Sequence, residues 1–303
     1  MKIRNSLYAF FAMQGILFLT VTGLFAGSQT AASARIPADS VQIVFLANVN
    51  ASYENCHCGD HPLGGLDRVL TIVKGWRSQN PKLQIFDGGD FLNAYPYPAL
   101  NRLILDLYAL LRPDIVSLGD QELQSGNLAF QQELFKSRFP ILNTNLRLAD
   151  WPLQKVYKIY LKSRQIDVLH YLDSSCFLWE KPASDVRLSE ASFKKAYNAL
   201  PEHSYRIVIF HGEKDRLRNF IKRYPGIHLI LLAHAQTKEF QNKRLPWILG
   251  PGTDSEYVTR LDLAFSVNKI RPSLKLVTVP VELSVKPDPQ ARKRIEQFLQ
   301  TAK

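Results

Sequence analysis

Short apolar runs rich in β-branched residues alternate along this chain with segments whose apolar positions recur every three to four residues. VQIVFLANVN (41–50), KLQIFDGGDFL (82–92), DIVSLGD (114–120), FPILNTNLR (139–147), IVIFH (207–211) and IHLILLAH (227–234) read as strands. Between the first two, Leu66, Val69, Leu70, Val73 and Trp76 share one face of a helix, and further helices are predicted over Pro98–Leu111, Asn127–Arg138 and Ser189–Leu200. Strand, helix, strand is the opening of an α/β fold with right-handed crossovers, and strands apolar on both faces suit parallel pairing inside a covered sheet. The pattern changes at VYKIYLK and IDVLHYL, two alternating runs joined near Ser163–Gln165, which predict an antiparallel hairpin with one packed and one wetter face. The closing runs WILG, VTRLDLAF and LKLVTVPVEL also read as antiparallel. Asp288 and Pro289 then stand as N-cap and first residue of a terminal helix.

The beginning of the chain belongs to a different pattern. Lys2 and Arg4 precede an apolar stretch from Leu7 to about Gly27, and Ala32-Ser33-Ala34 follows. This is the build of a secretory signal peptide over 1–34, although the apolar stretch is also long enough to stay as a membrane anchor. Residues 35–303 carry no Gly/Ser- or Pro-rich linker and read as one domain. Export places the chain in a periplasmic or other extracytoplasmic space, where association with the membrane or with envelope proteins is open to it. Without Lys2 and Arg4 the formal charge falls from +11 to +9, which suits a small anionic or phosphorylated ligand or an anionic surface. The basic residues are scattered rather than striped with aromatics, so nucleic acid is not expected as a partner.

The strand ends carry the candidate chemistry. QIF runs into Asp87 and Asp90, IVSLG into Asp120, RIVIF into His211 and HLILLA into His234. Open α/β sheets bind ligands beyond the carboxyl ends of their strands, so these carboxylates and imidazoles can converge as metal ligands. Asp87 is set aside, because it lies on the opposite strand face from Gly88 and is better placed to cap or pair. VQIVFLA points at the same edge but ends on Asn48 and Asn50, amides that coordinate only weakly.

In order, the clusters are Asn48-Val49-Asn50, Gly88-Gly89-Asp90, Gly119-Asp120-Gln121-Glu122, Phe210-His211-Gly212 and Ala233-His234-Ala235-Gln236. Together with Gly64-Gly65-Leu66-Asp67-Arg68 and the strand from Phe139 to Asn145, they resemble the calcineurin-like metallophosphoesterase superfamily, specifically its 5'-nucleotidase branch. The resemblance runs from about Val41 to Phe265. It implies a metallo-dependent phosphatase-like fold, an α/β/β/α sandwich of mixed sheets. It also implies a metal held by Asp90, Asp120, His211 and His234, a set that suits Zn²⁺, Mn²⁺ or Fe²⁺. The family's second metal would fall on Asn48, Asn50, Asp90 and Gln236, where three strong ligands are replaced by amides. One divalent metal, or none, is therefore expected. Gln121 stands where the family has a catalytic histidine; it can donate a hydrogen bond but cannot transfer a proton. Glu122 is left to orient Gln121. The separate C-terminal substrate domain that many 5'-nucleotidases carry is not expected within these 303 residues. The resemblance thus points to a weak one-metal phosphoester hydrolase or a catalytically impaired descendant.

Cys56-His57-Cys58 with His61 is a second cluster, in the loop after the first strand. These residues can hold zinc, copper or iron, form a redox pair, or be incidental loop residues. Cys176 is a candidate partner for them, since three cysteines leave at least one without an internal disulfide. The competing expectation is thus an envelope redox or metal-handling protein that uses this loop on a phosphatase scaffold.

Overall fold

The structure is a computed structural model that describes residues 39–55, 62–124, 139–148, 151, 153–177, 182–266 and 271–301. All of these belong to one compact unit, Pro37–Lys303. The leader expected over 1–34, the cluster Cys56, His57, Cys58 and His61, and the helix expected over 127–138 lie outside the described residues.

Two mixed sheets form the centre. The first has strand order β13-β12-β1-β2-β3 and is built from β1 (Ser40–Leu46), β2 (Gln84–Asp87), β3 (Ile115–Val116), β12 (Tyr257–Ala264) and β13 (Ser273–Pro280). β1, β2 and β3 run parallel, and β12 returns antiparallel beside β1 with Ile43 opposite Leu261. The second has order β10-β11-β9-β8-β6-β5, from β5 (Tyr157–Tyr160), β6 (Gln165–Leu172), β8 (Tyr205–Gly212), β9 (Leu229–His234), β10 (Lys238–Gln241) and β11 (Trp247–Pro251). A short ribbon pairs β4 (Leu146–Arg147) with β7 (Arg187–Leu188).

The alternation of side chains along each strand makes the layers. In β1, Val41, Ile43 and Phe45 pack against Ile166, Val168, Ile207, Ile209, Leu229 and Leu231 of the second sheet. Val44 and Leu46 point the other way, into α1 (Leu66–Gln79), α2 (Pro98–Leu111) and α6 (Pro289–Thr301). The far face of the second sheet is covered in the same manner. Leu169, Tyr171, Val208, Phe210 and Ile230 pack on Phe193 and Tyr197 of α4 (Glu190–Asn198) and on Leu217 and Phe220 of α5 (Lys214–Arg223). The result is the expected α/β/β/α sandwich of mixed sheets. Side chains alternate between the two faces, so a sheet covered on both sides needs near-continuous apolar runs in its strands.

Three strand expectations change. The run 139–147 forms only isolated parallel bridges at Ile141 and Leu142 and the two-residue β4, because its backbone leaves the sheet to reach the ribbon with β7. The 157–172 hairpin forms, but β6 is not half-wet: it pairs parallel with β8 on its other edge and is buried from Ile166 to Leu172, so only β5 alternates with solvent. β11 is not part of a closing antiparallel sheet either. It lies parallel to β9 and antiparallel only to β10. The terminal helix is as expected, with Asp288 Oδ1 accepting from Gln290 N and Ala291 N at 3.1 Å each. Among the described residues no helix is long and apolar enough to cross a membrane.

Candidate metal centre

The carboxyl ends of parallel strands from both sheets meet at one edge of the sandwich. Asp90 follows β2 through the Gly88-Gly89 turn, and Asp120 is the first residue of α3 (Asp120–Leu123), a single turn after β3. His211 lies near the end of β8 and His234 ends β9. The four side chains expected to share a metal converge. His211 Nε2 is 3.2 Å from Asp120 Oδ1 and 3.4 Å from Asp90 Oδ2, and His234 Nδ1 is 3.0 and 3.4 Å from the same two atoms. The approach leaves no spare volume: a Cβ added at Gly119 would sit 2.3 Å from Asp90 Oδ1 and 2.3 Å from His211 Cε1. Asp90 and His234 hold left-handed φ values of 58° and 65°, as do Asn48 and Asn50 at 55° and 50°. Backbone strain of this kind collects at functional crevices because the surrounding structure must hold it.

Each imidazole has one nitrogen spoken for on its outer side. His211 Nδ1 lies 2.8 Å from the Gly88 carbonyl, which can only accept, so Nδ1 carries the proton and the Nε2 lone pair faces the carboxylates. His234 Nε2 faces Glu213 Oε1 at 3.4 Å and turns Nδ1 inward. An outer carbonyl or carboxylate that fixes the tautomer while the inner nitrogen points at a common centre is the arrangement of a metal-ligating histidine. Two carboxylates facing two inward lone pairs also need a cation or protons between them. Burial opposes charge on both rings, but Asp90 and Asp120 hold His211 well above the ordinary histidine range and raise His234 as well. Burial alone would raise Asp90, yet the His211 and His234 partners hold its carboxyl below the ordinary carboxylate range. The donor set of two carboxylates and two imidazoles fits a divalent cation such as zinc, manganese or iron.

Glu122 acts differently from the expectation that it orients Gln121. Its buried carboxylate accepts from four backbone amides, Asp90 N at 3.0 Å, Phe91 N at 3.0 Å, Leu92 N at 2.9 Å and Gly119 N at 2.8 Å. It therefore staples the loop that carries Asp90 to the turn that carries Asp120. Burial and the neighbouring Asp90 push its pKa up to about 7 against the pull of those amides. Asp87 pairs, as expected: its buried carboxylate accepts from Tyr108 Oη at 2.7 Å and Gly89 N at 2.8 Å.

The amide side of the crevice is a closed hydrogen-bond network. Asn48 Oδ1 accepts from His234 N at 2.8 Å, and Asn48 Nδ2 donates to the Gly252 carbonyl at 3.0 Å. Asn50 Nδ2 donates to Asp254 Oδ1 at 2.8 Å and Thr253 Oγ1 at 3.0 Å, and its Oδ1 accepts from Gln121 Nε2 at 2.9 Å. Gln236 is exposed in the turn between β9 and β10. The chain thus spends Asn48, Asn50 and Gln121 on one another and on the 252–254 loop.

Two residues beside the centre escaped the sequence reading. Glu213 is visible only once β8 and β9 are known to be neighbours. Cys176, considered only as a partner for Cys56 and Cys58, is buried in the 3-10 turn Ser174–Phe177 that follows β6. Its sulfur and one ligand atom each of Asp120, His211 and His234 all lie within 4.8 Å of one another. The available signal was its position just after a strand that proves to be parallel to β8.

Known proteins match the chain in family and in fold. The family model described as calcineurin-like phosphoesterase matches residues 56–237. Protein 5NUC of Lutzomyia longipalpis is 26% identical over 188 residues, which is 57% of this chain and 33% of that protein. The 5'-nucleotidase precursor from Thermus thermophilus superposes with a TM-score of 0.73 at 17% identity, covering 87% of this chain and 59% of that one. The calcineurin-like phosphoesterase YfkN from Bacillus subtilis gives a TM-score of 0.62 at 15% identity over 87% of this chain and 97% of that one. At these identities the solved structures speak for the fold alone. The chain spans about a third of the length of the curated relative it matches.

Proposed function

The chain belongs to the calcineurin-like phosphoesterases, and on that premise we propose that it is an exported, one-metal relative of the 5'-nucleotidases that binds a small phosphorylated or anionic ligand and hydrolyses phosphoesters weakly. The observation that carries this reading is the contrast across the crevice. On one side, two imidazoles with engaged outer nitrogens face Asp90 and Asp120. On the other stand neutral amides: Gln121 donates to Asn50, and Asn48 is held by the Gly252 carbonyl and the His234 amide.

Asp90, Asp120, His211 and His234 would hold the metal, with Glu122 fixing the backbone beneath both carboxylates. A divalent cation there supplies Lewis-acid polarisation of a phosphoryl oxygen. A two-metal site clamps both the attacking and the leaving oxygen, and half of that clamp has no strong ligands here. Gln121 can donate a hydrogen bond to an anionic oxygen, but it has no proton to pass to a leaving group. Binding is thus better provided for than turnover. The basic formal charge favours an anionic ligand, and the segment from Lys2 to Ala34 supports export.

The test is elemental analysis of the purified protein, with the Cys56–His61 loop mutated, alongside a phosphomonoester assay. About one divalent metal per chain with slow, metal-dependent turnover is expected. A full pair of metals at this pocket, or turnover at the level of a competent phosphatase, would overturn the proposal.

A further inference from the structure

We infer that Cys176 is a ligand of this same centre, so that Asp120, Cys176, His211 and His234 make a thiolate-containing site that selects zinc-like cations over magnesium and manganese. The inference rests on the metal-centre reading above and adds a donor that the family's ligand pattern, quoted in the sequence analysis, does not contain.

Topology places the sulfur. β6 runs parallel to β8 with Leu172 opposite His211, so the chain leaving β6 passes directly beside that histidine. Asp173 N donates to the His211 carbonyl at 2.8 Å, and Cys176 N donates to the Asp173 carbonyl at 3.3 Å. Ser175 N and Oγ both donate to Asp173 Oδ1, at 2.9 and 2.7 Å, which fixes the turn that aims Cys176 inward. The thiol is buried, 3.7 Å from the His211 carbonyl.

Four donor atoms within 4.8 Å of one another need only small side-chain rotations to reach the separations of about 3.3–3.6 Å set by zinc–sulfur and zinc–nitrogen bond lengths in a tetrahedral site. The donor types then decide the cation. Magnesium and manganese favour carboxylate, carbonyl and water oxygens, whereas one sulfur, two imidazoles and a carboxylate suit zinc and its spectroscopic substitutes cobalt and cadmium. On binding, the Cys176 thiol gives its proton to solvent and coordinates as thiolate. Asp90 remains beside both imidazoles as a further donor.

The experiment uses the full chain with Cys56→Ser and Cys58→Ser, which leaves Cys176 as the single thiol of the three cysteines. Loaded with Co²⁺, this protein should show a thiolate-to-cobalt charge-transfer band in the near ultraviolet. Adding Cys176→Ser should remove the band while cobalt still binds. It should weaken Zn²⁺ at least about tenfold, the lower end of the loss typical when even an outer partner of a ligand is removed, and weaken Mn²⁺ by less. If the double-serine protein does not fold, the difference spectrum between the cobalt forms of the wild type and Cys176→Ser gives the same reading. One bound cobalt without the band in the protein that retains Cys176 would overturn the thiolate ligand and leave the proposed function standing. Failure to bind cobalt or zinc at all would overturn both.

Discussion

One oxygen of Glu122, Oε2, accepts a hydrogen bond from the backbone amide of Asp90 at 3.0 Å and a second from Gly119 at 2.8 Å. A single buried atom thereby sets the distance between the two loops that present Asp90 and Asp120. Replacing Glu122 by Gln keeps the shape but turns an NH₂ group toward backbone donors. Hydrogen bonds to a charged acceptor contribute about 1.5–3 kcal/mol each, so Glu122→Gln should destabilise the fold by on the order of 3 kcal/mol in urea unfolding and should weaken metal binding together with it. A variant with unchanged stability would mean that the four amides find other partners.

Asp90 touches both imidazoles and bridges the metal side to the amide side. Asp90→Ala should weaken metal retention through dialysis, as read by elemental analysis, without abolishing it, since Asp120, His211, His234 and Cys176 still face one another, while the circular dichroism of the two sheets persists. Losing the anion from between His211 and His234 should also lower the pKa values of those histidines toward the ordinary range, visible in their NMR titration. Unchanged metal affinity after this change would show that Asp90 is not a ligand.

The layers of the fold were legible in the sequence because β1, β8 and β9 are short apolar runs of the kind a covered sheet needs, and α1 and α2 keep a period of about 3.6. The termini of α2 and the Asp288 cap were equally plain, since Pro98 and Asp288-Pro289 are local signals. β6 and β11 were misplaced for one reason. Their partners, β8 and β9, lie far along the chain, and a strand's own residues do not say whether a second edge is paired. Asp90, Asp120, His211 and His234 could be named because each ends its strand. Glu122, Cys176 and Glu213 could not be given their places, because these depend on which loops face each other across the two sheets.

The charges at the centre predict a pH window for the protein stripped of metal. The histidines have folded pKa values raised above 6.5, so their contribution is complete below 6.5 and lost as pH rises through the folded values. Asp90 is lowered below 3.8, so its contribution is present above 3.8 and lost as pH falls through the folded value. The metal-free protein should therefore gain most from this cluster between about 3.8 and 6.5, and its Tm should decline on the alkaline side of that window. Metal loading should restore the alkaline stability and release protons at neutral pH, which calorimetry in buffers of different ionisation enthalpy would detect. A flat profile for the metal-free protein would show that the histidines are not held charged.

The amide network makes a sharper prediction about ancestry. Asn48→Asp, Asn50→His, Gln236→His and Gln121→His together place strong ligands and a proton donor where neutral amides now stand. The combined variant should take up a second metal and raise phosphomonoester hydrolysis, because the oxygen clamp and the proton transfer return together. The single changes should do little, since groups that act as a unit contribute non-additively. Asn48→Asp alone should even cost stability. Asn48 Nδ2 now donates to the Gly252 carbonyl at 3.0 Å, and a carboxylate there would face that carbonyl with no donor between them, a loss of about 1–3 kcal/mol for a buried polar group left without its partner. The second metal should recover that loss, so thermal shift with added Zn²⁺ separates the single from the combined variant. A folded quadruple variant that holds two metals and gains no activity on any phosphoester would show that the crevice has changed shape as well as ligands.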